Sequence, residues 1–138
     1  MNHERWLPQV VGLALVMLFL AACGATQHAA VQRVRAFHEA INAIEPGEGP
    51  DVTVGTQALI DIYREHTTQP GIQMSLLELA MASGTVRFSN VDYELVSENA
   101  NRAVVKATGN ITIGEKTETL DKQYVVEKQD GKWLIARW

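Results

Sequence analysis

The chain has 138 residues, with 12 basic and 16 acidic side chains, four histidines and one cysteine, for a net charge of −4. Nucleic acid is excluded as an expected partner, because phosphate binding needs a concentrated basic face and none is present. No internal repeat, low-complexity tract or second domain interrupts the pattern. Gly-x-Gly-x-x-Gly, Walker, His-Glu-x-x-His and nucleophile-elbow motifs are also lacking, so no cofactor, metal or catalytic set is expected.

The chain opens with Arg5 in a weakly basic start offset by Glu4, followed by an apolar run from Leu7 to Leu20 and then Ala21-Ala22-Cys23. Leu7 to Ala22 is 16 residues and includes Pro8, Gln9 and Gly12. A comfortable helical span of a bilayer needs about 20 apolar residues. Leu20-Ala21-Ala22-Cys23 resembles the lipobox of bacterial lipoproteins. The resemblance implies that residues 1–22 are a signal peptide, with Leu20, Ala21 and Ala22 recognised by the signal peptidase. It also implies that Cys23 carries diacylglycerol and becomes the first residue of the mature chain, held outside the cytoplasm on a membrane of a bacterial envelope. An uncleaved anchor and an ordinary signal peptide with an incidental cysteine are the alternatives. Two acyl chains suffice for stable attachment. Residues 23–28 form the lipidated cysteine and a short tether, in which Gly24 to Gln27 reaches only about 15 Å when extended. A lipidated Cys23 leaves no thiol for a disulfide, a nucleophile or a zinc cluster.

Removal of residues 1–22 leaves 116, enough to bury roughly two-thirds of the unfolded surface and to fold without staples. Residues 29–138 are read as one domain. Val31, Val34, Phe37, Ile41 and Ile44 recur at helical spacing, which predicts a first helix from about His28 to Ile44, ended by Pro46-Gly47. Arg33 and Arg35 are read as its solvated side. After a loop from Gly47 to Gly55, Leu59, Ile62, Tyr63 and His66 share a second helical face, broken by Gln69-Pro70-Gly71. Ser75 and Glu78 form a capping box that opens a third helix.

From Thr85 onward the period falls to two, and four strands are expected. The first passes through Val91, Tyr93 and Leu95, starting as early as Val86, with a change of parity near Ser89-Asn90 that predicts a bulge. Asn99-Ala100-Asn101 turns the chain into a second strand with Ala103, Val105, Ala107, Gly109, Ile111 and Ile113 on one face. Gly114-Glu115 leads to a third strand carrying Leu120, Tyr124 and Val126. Asp130-Gly131 is a hairpin turn into Lys132 to Trp138. Helices followed by a meander give an α+β fold, with the helices on one face of a curved antiparallel sheet of four or more strands.

This element order, with the closing run Glu127-Lys128-Gln129-Asp130-Gly131-Lys132-Trp133, is similar to the nuclear transport factor 2-like superfamily, the cystatin-like cone. The resemblance spans about Ala29 to Trp138. It implies a sheet curled around the first helix, often leaving a pocket. It does not imply a chemistry, since isomerases, dehydratases, binding proteins and interaction modules share the fold.

His38, Tyr63, Tyr93 and Tyr124 are the residues expected to line such a pocket. His38 lies inside the apolar stripe of the first helix. It reads either as a general acid or base, or as a core histidine bonded to a backbone carbonyl. The tyrosines suit a small apolar or aromatic ligand, or are core filler with hydroxyls at the rim. Ala103, Ala107 and Gly109 either admit the first helix closely or leave a cavity. Lys122 and Arg137 share parity with apolar neighbours, so each is an inward anion contact or the product of a bulge or strand end. His66 is read as a cation at a helix end. Three function classes follow. The leading one is a membrane-anchored ligand-binding or protein-interaction module without catalysis. The others are an isomerase or hydrolyase using His38 with a tyrosine, and a structural subunit that dimerises through its sheet. An envelope protein is the remaining candidate partner.

Overall fold

The computed structural model describes residues 27–44, 52–68 and 86–138, with side chains at all of these except 52–56. The leader with Leu20, Ala21, Ala22 and Cys23, the tether from Gly24 to Thr26, both expected helix breaks and the helix expected from Ser75 lie outside the described residues.

Helix α1 spans Ala29–Asn42 and buries Ala30, Val31, Val34, Phe37, His38 and Ile41 along one stripe. It starts one residue later than its periodicity predicts because His28 is its cap. The His28 Nδ1 accepts from the Ala30 N–H at 3.1 Å, satisfying an amide that has no partner within the helix. Helix α2 spans Val52–His66 and buries Leu59, Tyr63 and His66. It includes Gly55, which the sequence reading placed at the end of a loop. A glycine inside a helix costs only about 1 kcal/mol relative to alanine, too little to end a helix that packs farther on. No described helix is long and apolar enough to cross a membrane.

Strands β1 (Val86–Glu98), β2 (Arg102–Ile113), β3 (Lys116–Gln129) and β4 (Lys132–Arg137) form one antiparallel meander in that order. The described chain is thus α+β, with two helices on an open four-stranded sheet. Each turn has a local cause. Asn99 Oδ1 accepts from the amides of Asn101 and Arg102. Gly114 supplies a φ of +62°, and Asp130 and Gly131 take +49° and +78°, the paired left-handed residues of a tight hairpin.

The bulge expected near Ser89-Asn90 is present. The β1–β2 register slips between Ser89 and Asp92, and Asn90 sits at φ +51°. Gly109 of β2 faces it, and a Cβ there would lie 2.5 Å from the Asn90 carbonyl oxygen. Gly109 is therefore small for the sake of the neighbouring strand, not for helix approach or a cavity. Ala103 and Ala107 are fully buried in the core. A second slip, between Leu95 and Ser97, leaves Val96 exposed.

Both outer strands are tied to helices. The Asn42 amide donates to the Phe88 carbonyl at 2.8 Å and accepts from the Phe88 N–H at 2.7 Å, acting as a short strand partner for β1. Beyond α2, Thr67 bridges Ile135 in parallel and the Thr68 N–H donates to the Ile135 carbonyl at 2.9 Å. Lys122 and Arg137 are exposed. For Arg137 the cause is a register slip between Val125 and Val126, which pairs Val125 with Arg137 and Val126 with Ile135.

Candidate functional site

Helix α1 carries His38 into the sheet-facing stripe, where it is 1% exposed. β1 brings Tyr93 to it just past the bulge, and β3 brings Tyr124. His38 Nδ1 lies 2.9 Å from the Tyr93 hydroxyl and Nε2 lies 2.7 Å from the Tyr124 hydroxyl. The imidazole stacks on Phe88, with centroids 4.0 Å apart and planes 10° from parallel. His38 is thus buried in the core and bonded to two tyrosine hydroxyls, where a backbone carbonyl was the expected partner of a core histidine.

The proton positions follow from satisfying each group. A neutral imidazole has one N–H and one bare nitrogen, so one tyrosine donates and the other accepts. Tyr124 is buried, and its hydroxyl has no other hydrogen-bond partner among the described residues. If it accepted from Nε2–H, its own proton would be left without an acceptor among the described residues. Tyr124 therefore donates to Nε2, the Nδ1–H donates to the Tyr93 oxygen, and the half-buried Tyr93 is left to direct its proton outward.

Burial reinforces this arrangement. Removing the ring from water lowers the His38 pKa to about 4. The same loss of hydration is the main cause of the raised Tyr93 pKa, about 12, where the Arg35 guanidinium opposes the rise and Glu39 adds to it. Tyr124 is raised further, again chiefly by burial. At neutral pH all three groups are uncharged.

Tyr63, also expected at the pocket, is fully buried but makes no bond to His38. Its ring meets Phe37 edge-on at 5.6 Å and Trp138 at 5.9 Å. Its hydroxyl is buried without a hydrogen-bond partner among the described residues, and burial raises its pKa to about 12. Trp138 also approaches Tyr124 at 6.3 Å, so aromatic rings run from α2 through the core to β1.

The remaining polar groups differ from their sequence reading. His66 is buried, and its Nδ1 accepts from Arg33 Nη1 at 3.0 Å. Burial first, then the Arg33 charge, lowers its pKa, so His66 is neutral at pH 7 and the cations at this helix end are Arg64, in its last turn, and Arg33. Arg35 lies over the Tyr93 ring, 5.2 Å from its centroid. Neither arginine is simply solvated. A cleft of about 250 Å³ opens beside Tyr93, lined by Arg35, Glu39, Asn42, Ser89 and Asn90 among others. Among the described residues no three His, Cys, Asp or Glu side chains are grouped to hold a metal ion.

Sequence reasoning missed the Asn42 clamp and the Trp138 ring. An asparagine closing a helix four residues before a Pro-Gly break was the available signal for the first. No family profile matches the chain, and no curated protein matches it.

Proposed function

We propose that this chain is a lipoprotein of a bacterial envelope, anchored through Cys23, whose body is a nuclear transport factor 2-like cone acting as a ligand-binding or protein-interaction module without catalysis. The observation that carries the non-catalytic part is the occupation of both His38 nitrogens by tyrosine hydroxyls in a buried site. A general base near neutral pH needs a bare nitrogen directed at substrate, and here that nitrogen already accepts from Tyr124. The cone reading is supported by His28, whose Nε2 contacts Glu98 on β1 while its ring lies 5.5 Å from Trp133 on β4. β1 and β4 are the two outer strands of the sheet and would stand about 14 Å apart if it were flat, at about 4.8 Å per spacing. One side chain touching both fits a sheet curled around α1. The anchor rests on Leu20-Ala21-Ala22-Cys23.

The test is the intact mass of the protein recovered from a bacterial membrane fraction, with and without Cys23→Ser, together with chemical cross-linking in intact cells. The expected result is a chain beginning at Cys23 with diacylglyceryl, release of Cys23→Ser from the membrane, and a specific bound molecule or cross-linked partner. An unmodified mass overturns the anchor, and neither ligand nor partner overturns the module. A second reading, an isomerase or hydrolyase, is favoured by the Tyr93 hydroxyl beside its cleft. It requires an activity that His38→Gln abolishes.

A further inference from the structure

We propose that the end of the domain formed by the β1–β2 and β3–β4 turns is the surface that faces the lipid, with Lys128, Lys132 and Trp133 meeting the headgroups. This rests on the Cys23 anchor proposed above and adds an orientation to it. Only Gly24 to Gln27 separate Cys23 from His28, so His28 stays within about 18 Å of the anchored residue. His28 is fixed in the body by its bonds to the first turn of α1 and to Glu98, and by its packing on Trp133. Glu98 ends β1 and Trp133 lies at the start of β4. The Lys128 amide donates to the Asn101 carbonyl, which joins the two turns at this same end. The Gly114-Glu115 turn lies at the far end of β2, a strand of 12 residues or about 40 Å.

Charge and side-chain type agree with this placement. Arg102, Lys128 and Lys132 balance Glu98, Glu127 and Asp130 at this end, so the net −4 of the chain resides elsewhere. An anionic bilayer therefore meets this end without net repulsion. Trp133 is half-buried with the Lys128 ammonium 5.9 Å from its ring centre, an aromatic and cationic pair suited to the headgroup layer.

The test uses full-length lipidated protein in vesicles of phosphatidylethanolamine and phosphatidylglycerol doped with a nitroxide-headgroup lipid. A fluorescent thiol label is placed at Ala100→Cys or at Glu115→Cys, both exposed, since Cys23 is blocked by its lipid. The expected result is several-fold stronger quenching at position 100 than at 115, with the difference reduced by charge reversal at Lys128 and Lys132. Equal quenching at both sites, or stronger quenching at 115, in protein of the diacylglyceryl mass overturns the orientation and leaves the anchor standing. Protein without that mass overturns both.

Discussion

His38 is held neutral by burial, and the sign of its pH dependence follows directly. Its folded pKa, about 4, lies below the ordinary value of 6.5, so the unfolded chain binds the proton more readily. The stability is fully present above about pH 6.5 and is lost as pH falls toward 4, by on the order of 3 kcal/mol. His66 shifts in the same direction. Urea unfolding is expected to show a falling midpoint across this window, with a shallower slope in His38→Gln; an unchanged slope would remove His38 as the cause. The tautomer gives a second test. Tyr124→Phe leaves a buried bare nitrogen and is expected to cost about 1–3 kcal/mol, whereas Tyr93→Phe loses an acceptor that water at a half-exposed site can replace, and should cost less. Denaturant midpoints in the opposite order would reverse the assignment. Tyr63 shows the converse case, because its buried hydroxyl has no described partner, so Tyr63→Phe should be neutral or stabilising by up to about 1 kcal/mol.

At the level of elements, the β1 bulge and Gly109 form a matched pair. Gly109→Ala places a methyl group 2.5 Å from the Asn90 carbonyl oxygen and must displace backbone. A loss of about 1–3 kcal/mol is expected, measured as a lower thermal midpoint. An unchanged midpoint would mean that the bulge yields at no cost. The alternating residues of β2, the Asp130-Gly131 turn and the parity break at Ser89-Asn90 were legible because each is a local pattern whose cause lies within a few residues. The purpose of Gly109 was not legible, since it depends on the conformation of a strand some twenty residues earlier. The site behaved alike. The inward direction of His38 followed from helical period. Its bonds to residues 55 and 86 positions away followed from strand register, which periodicity does not determine.

At the scale of the whole molecule, His28 is the one described side chain seen to cap α1 while touching both outer strands. Its Nδ1 accepts from the Ala30 amide, which leaves Nε2–H to donate to Glu98, and its ring edge packs on Trp133. Replacing it by alanine removes all three links, whereas serine restores only the cap, because a hydroxyl near the backbone can reach the first-turn amides but not β1 or β4. The loss from the cap alone is about 1 kcal/mol. If the sheet is drawn around α1 from this end, amide hydrogen exchange should quicken together at the end of β1 and the start of β4 in both variants. In the alanine variant the first turn of α1 should lose protection as well. Faster exchange confined to α1 would show that the two outer strands are held near each other by the sheet and the core, with His28 only a helix cap.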